Sequence, residues 1–287
     1  MATRMPMGVD ARTTFEPEVI QLDYVEAIIR DLAAAVLGRN HGPPRALLHE
    51  TLASIQPDAY NWSADGPDVQ FDDGDGLEEP VLRRIMVVDE LPGDWEIELE
   101  LRPAYRAEVA RALSTLEEVD APTARSVRTV IGTFVFGRLP GYGGGSNSSA
   151  IGCVWLNPKH TWTEADWLEN VLHEYVHQCL FMDDMRHGLF AHDGELLARE
   201  DALVESAILR TRRPYDRAFH SAFVSFALMQ LNLRLGMRHR VDQHIEPLRN
   251  TLDQLQGKSQ ELTAHGRNIL DSLCFAFDDE PGLRTPC

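Results

Sequence analysis

One helix constrains this chain more than any other feature. Trp167, Leu168, Val171, Leu172, Tyr175, Val176, Cys179 and Leu180 recur at helical spacing and form an apolar stripe too wide for a surface helix. Thr161 and Glu164 have the spacing of a capping box, which predicts that the helix starts there. A helix apolar over so much of its circumference has to be covered by other helices or a sheet. It also carries His173-Glu174-Tyr175-Val176-His177. Histidines four apart project from one face, one turn from each other. Their two nitrogens can then reach a single ion at about 2.0–2.1 Å. Glu174, off that line, is placed to hydrogen-bond a metal-bound water. The plain alternative is a pair of surface histidines around a helix-favouring glutamate.

The surroundings predict a mainly α (α+β) fold, a helical domain with a small β-sheet preceding this buried metal-binding helix. Residues 1–15 read as a loose leader. Helices are expected over 17–37, where Gly38 supplies the stop, and over 44–55. Residues 57–80, rich in Asp, Gly and Pro, read as a surface loop. Within it, Asp72-Asp73-Gly74-Asp75-Gly76 lacks the twelve-residue ligand spacing of a calcium loop. Residues 81–88 and 95–101 read as strands, the second because Trp95, Ile97, Leu99 and Leu101 alternate with acidic residues. A helix follows over 103–118 and a strand over 127–136. A Gly/Ser loop over 141–149 leads into a strand at 151–156. Further helices are expected over 194–211, 216–236 and 241–273. This divides the chain into an N-terminal helical and acidic-loop region, 1–104, suited to substrate recognition, and a metal-binding catalytic region, 105–287, the two forming one continuous compact unit.

The formal net charge is −18 and the pI about 4.9, which disfavours general nucleic-acid binding, since phosphates are repelled. A cationic or neutral partner suits such a surface better. There is no run of about 18 apolar residues to predict a membrane span and no apolar N-terminal run of signal type. Cys153, Cys179, Cys274 and Cys287 form no Cys-x-x-Cys pair, which disfavours a zinc ribbon or a disulfide framework and makes a reducing, cytoplasmic setting the default.

Two histidines need a third protein ligand. Metzincin-like proteins place a Gly and a third His soon after the second; here those positions are Leu180 and Asp183. Thermolysin-like proteins use a Glu from a following helix, for which Glu195, Glu200 and Glu205 compete, with Glu205 favoured by an apolar helical context. The other candidate is His220, among Ala218, Phe219, Ala222 and Phe223, which reads equally as a core histidine. Arg210, Arg212, Arg213 and Arg217 cluster just before it. Arginine's planar fork suits a carboxylate, so Arg212, Arg213 and Arg217 are candidates to hold an anionic co-substrate such as a 2-oxo acid, or else pair with the excess Asp and Glu.

Over roughly residues 105–236 the chain resembles the HExxH-type peptide β-hydroxylases of ribosomal peptide natural-product pathways. The resemblance rests on three segments in order: Gly144-Gly145-Ser146-Asn147-Ser148-Ser149 leading into Ile151 to Pro158, then Leu172 to His177, then Arg213-Pro214 through His220. It implies iron(II) held by His173, His177 and His220, 2-oxoglutarate as co-substrate, and hydroxylation at Cβ of a residue in a ribosomally synthesised precursor peptide. Family members show Trp-Arg and Asp-Pro-Arg-Pro before that histidine and a Gly after it, where this chain has Arg212-Arg213-Pro214-Tyr215 and Ser221. The 2-oxoglutarate-binding arginine is thereby left unassigned. The resemblance gives Glu174 no acid/base task, only a supporting one beside the metal. The competing reading is a zinc metallopeptidase with His173, His177 and Glu205 as ligands and Glu174 as general base. A third is a non-catalytic binding protein that retains the pentapeptide.

Overall fold

In the computed structural model of this chain, residues 17–57, 66–70, 82–85 and 95–283 are described. The proposed leader, residues 58–65 and 71–80 of the expected surface loop, with its Asp72–Gly76 run, and Cys287 lie outside them. The chain is mainly helical. A single turn of 3-10 helix, Glu18–Ile20, is followed by helix α1, Leu22–Leu37. The expected 17–37 helix is thus interrupted at Gln21, which is extended. Gly38, at φ 68°, stops α1 in the left-handed region that glycine tolerates. Helix α2, Pro44–Ile55, packs back on α1 through Leu47, Leu48 and Leu52.

Strand β1, Asp68–Gln70, comes next. Residues 82–85 are helical where a strand was expected, and Leu82 and Ile85 are buried. Residues 95–101 are not a strand either. Trp95 and Ile97 are buried, but Leu99 is 73% exposed and the chain turns at Leu101, whose N–H donates to the Glu98 carbonyl. Alternation describes one face of a strand; it does not supply the partner strand.

Helices α3, Arg102–Val119, and α4, Ala121–Val130, meet at Asp120. Its carboxylate caps α4 by accepting from the Thr123 N–H at 2.9 Å, and it pairs with Arg234. The expected strand at 127–136 is therefore half helix, and strand β2 spans only Thr133–Phe136. Strand β3, Gly144–Gly145, and strand β4, Cys153–Leu156, complete a four-stranded sheet ordered β1-β2-β4-β3. β2 lies parallel to both β1 and β4, and β3 runs antiparallel along β4, Gly145 opposite Trp155. Every residue of β2 and β4 is buried, as expected for a sheet covered on both faces.

The long helix α5, Glu164–His187, runs beneath this sheet. Its capping box is real but lies two residues beyond the expected one: Thr163 Oγ1 accepts from the Asp166 N–H, and Asp166 accepts from the Thr163 N–H. The Glu164 carboxylate instead accepts from the Thr115 hydroxyl at 2.8 Å. Trp167, Leu168, Val171, Leu172, Tyr175, Val176, Cys179 and Leu180 are all buried, as the stripe requires.

The expected 194–211 helix is a correction. Only α6, Gly194–Leu197, is helical. Beyond it β5, Val204–Glu205, and β6, Arg212–Arg213, form a small antiparallel hairpin, with Arg210 at φ 54°. Helix α7, Tyr215–Arg234, is buried without interruption from Ala218 to Asn232. The expected 241–273 helix is two, α8, Arg238–Gly257, and α9, Ala264–Asp279, separated by a 3-10 turn at Ser259–Glu261. One apolar core runs from Val19 to Phe277 and draws on both sides of residue 104. Among the described residues no helix is long and apolar enough to cross a membrane.

Candidate functional site

A cavity of about 590 Å³ opens between α5, α7 and the Gly/Ser segment around β3. On α5 the residues Asn170, His173, His177 and Phe181 face it, three or four positions apart as one helix face demands. From α7 come Asp216, Arg217 and His220, and from β6 just before it Arg213. The structure therefore brings His173, Glu174, His177 and His220 to one cavity.

The three imidazoles form a chain. His173 Nε2 lies 3.2 Å from His177 Nε2, and His177 Nδ1 lies 2.9 Å from His220 Nδ1. Phe181 packs beside the His177 and His220 rings at 6.0 and 5.0 Å between centroids. Burial holds all three neutral. It pushes His173 down to about 4, with His244 adding repulsion, pushes His220 down to about 3, and puts His177, flanked by two other imidazoles, well below the usual histidine range. Neutral imidazole is the form that binds a metal ion.

Two nitrogens bound to one ion at about 2.0–2.1 Å are about 2.9–3.4 Å apart for angles between 90° and tetrahedral. The separations here are of that size. As placed, however, His177 meets its neighbours with opposite ring nitrogens. Among the described residues no three His, Cys, Asp or Glu side chains already converge on a single point. Donor type and pairwise spacing are those a divalent ion takes, but the ring orientations do not present three nitrogens to one point.

Glu174 is the buried acid at the cavity. Its side chain is 4% exposed, with Oε1 3.8 Å from His173 Nε2. The Ser146 hydroxyl donates to its Oε2 at 2.7 Å. Burial raises its carboxyl to about 7, partly offset by that hydrogen bond. Ser146 arrives there on the Gly/Ser segment, which has to hug β4: a Cβ on Gly144 would sit 2.6 Å from the Trp155 carbonyl oxygen. The sequence marks this segment as a loop but does not single out Ser146.

Other candidates separate. Glu205 lies on β5, not on a helix. Its carboxylate accepts from Asn250 at 3.1 Å, its carbonyl accepts from Thr251, and it does not line the cavity. Glu195 and Glu200 are exposed. Arg212 turns outward and pairs with the Glu200 carboxylate and carbonyl, so it is removed from the set of co-substrate candidates. Arg210 ties the hairpin to the Gln243 carbonyl. Arg213 and Arg217 line the cavity, and neither guanidinium forms a hydrogen bond or ion pair with another described residue.

No protein-family model matches the chain, and no curated protein matches it.

Proposed function

We propose that the chain is an iron(II)- and 2-oxoglutarate-dependent oxygenase that hydroxylates Cβ of a residue in a ribosomally synthesised precursor peptide, as its resemblance to the HExxH-type peptide β-hydroxylases implies. The observation that carries this reading is the meeting of His173, His177 and His220 in one cavity whose wall also carries Arg213 and Arg217. His173, His177 and His220 would hold the ion on α5 and α7, making α5 a metal-binding helix. Bound iron with 2-oxoglutarate and dioxygen supplies the oxidising power that turns a C–H bond into C–OH, with carbon dioxide and succinate as co-products. Arg213 and Arg217 offer planar donor forks to the far carboxylate of the co-substrate. The Phe181 ring shields one side of the imidazoles from water. A cytoplasmic setting suits the free thiols of Cys153, Cys179 and Cys274.

A second reading has its own support. Glu174, buried beside His173 with a carboxyl at about 7, is matched to accepting a proton from water near neutral pH. That favours a zinc metallopeptidase, with His220 as third ligand because Glu205 faces Asn250. Metal analysis of anaerobically purified protein, followed by succinate release and peptide mass after addition of iron(II), 2-oxoglutarate and air, separates the two. Iron, succinate and a gain of one oxygen atom support the oxygenase. Zinc with peptide cleavage indifferent to 2-oxoglutarate sinks it. His220→Ala is expected to lose the metal and Glu205→Ala to keep it.

A further inference from the structure

Among the described residues only two of the exposed large apolar side chains line the cavity: Tyr142, 59% exposed, and Leu209, 56% exposed. Ile208, beside Leu209, lines it too and is half-buried. Neither exposed residue stands on a loose tip. Tyr142 lies in the Gly/Ser segment, where Gly141 turns the chain at φ 88°. Asn157, just after β4, ties the backbone down around it. The Asn157 amide donates to the Leu139 and Tyr142 carbonyls at 2.7 Å each, and its backbone N–H donates to the Gly143 carbonyl at 2.8 Å. Leu209 stands in the turn between β5 and β6. Its N–H donates to Ser206 Oγ at 3.2 Å, and the Arg210 N–H donates to the Ser206 carbonyl at 2.8 Å. The turn closes with Arg210 at φ 54°, the one non-glycine residue at positive φ among the described residues. Strain of this kind persists only where the surroundings over-determine it, and it gathers at sites that hold ligands.

An apolar side chain held out on a pinned backbone is a contact surface organised in advance, because little freedom is lost when a partner covers it. Tyr142 and Leu209 share their cavity with the three histidines, so the partner is the molecule whose reacting part enters there. The charges nearest Leu209 in sequence are turned away from it. Arg210 donates to the Gln243 carbonyl at 3.0 Å, and Arg212 pairs with Glu200. The turn therefore presents apolar surface rather than charge. We propose that Tyr142 and Leu209 are specificity determinants that take a large apolar side chain of the peptide substrate, aromatic or branched aliphatic, close in sequence to the residue that reacts. Seating that side chain removes apolar area from water on both partners, which is what drives the contact. This assignment rests on the peptide-modifying reading and names the class of peptide it takes.

The test is binding, without turnover. Short fluorescein-labelled peptides of Gly, Ser and Ala, with Phe, Leu, Ala or Ser at the centre, are titrated against the protein and followed by anisotropy. Phe and Leu peptides are expected to bind roughly ten-fold or more tightly than the Ala peptide. Tyr142→Ser and Leu209→Ser should each cut that ratio by roughly three-fold, and the double variant should bring it to about two or less. Both side chains are exposed, so melting temperature should be retained. Leu99→Ser and Leu196→Ser, at exposed apolar residues that do not line the cavity, should leave the ratio unchanged. Equal binding of the Phe, Leu and Ala peptides to the unaltered protein overturns the proposal. So does a preference that survives in the double variant. A protein that prefers the Phe and Leu peptides yet consumes no 2-oxoglutarate would leave this assignment standing and remove the oxygenase chemistry.

Discussion

At the scale of single residues, the decisive contrast is between Glu174 and Glu205. Both were candidates from spacing alone; only Glu174 lies at the cavity. Its neighbour His173 and its donor Ser146 leave it two possible tasks, holding a water or taking a proton from one. Glu174→Gln keeps the shape and removes the basic oxygen. In an oxygenase it is expected to leave 2-oxoglutarate-dependent succinate release within about ten-fold of the parent, whereas a hydrolase relying on general-base catalysis loses at least 10²–10⁴-fold. Steady-state rates on the same peptide decide. Gly144 is the second critical residue. Gly144→Ala drives a methyl into the Trp155 carbonyl, a backbone atom that cannot swing aside. A cost of about 1–3 kcal/mol is expected, lowering Tm by roughly 2–10 °C in a thermal melt. An unchanged Tm would mean that β3 does not ride against β4 as described.

At the scale of elements, the helices with strong apolar periodicity were legible: 44–55, 103–118 and 216–236 match α2, α3 and α7 to within one or two residues. The misread segments share one cause, tertiary partners that sequence pattern does not contain. Residues 198–213 carry helix-favouring composition. Yet the chain turns where Arg199 reaches Asp201 and Glu261, and β5 is held by Gln254, Thr251 and Lys258 from α8 and the turn after it. Propensity is a weak prior against such contacts. The start of α5 shows the opposite limit. Two overlapping capping boxes are written in Thr161 to Asp166, and the one used is the one whose acid also pairs with Arg240 on α8. Thr163→Ala is expected to cost about 1 kcal/mol in urea unfolding, and Thr161→Ala much less. Equal costs would refute the assigned cap. For the site, His173, Glu174 and His177 were legible because one helix carries them. His220 was legible as a candidate, while Ser146 and Asp216 depend on how loops and helices converge.

At the scale of the whole molecule, three neutral imidazoles and one raised carboxyl tie stability to pH in opposite senses. The folded values at His173 and His220, about 4 and about 3, lie below the unfolded value of about 6.5. Between these limits the unfolded chain binds more protons, so stability present above about pH 6.5 is lost as pH falls towards them. Glu174, raised to about 7, contributes fully below its unfolded value of about 4.3 and loses that contribution as pH rises through 7. With three histidines against one glutamate, Tm of the metal-free protein should fall steadily from pH 7 to pH 4.5, read by calorimetry. A profile flat over that interval would contradict three imidazoles held neutral at the cavity wall. Added metal should raise Tm at pH 7 and progressively less towards pH 5, since protons compete for the ligands.

Helix α7 is wrapped by apolar neighbours along fifteen consecutive residues, Ala218 to Asn232, and His220 sits at the open end of that run. Its backbone is fixed by packing that no ion contributes to. The wall that His220 presents to the cavity is then a property of the folded chain, whatever the cavity takes up. If an ion is held there as proposed, stripping it with a chelator should leave the fold intact and allow reloading without passage through an unfolded state.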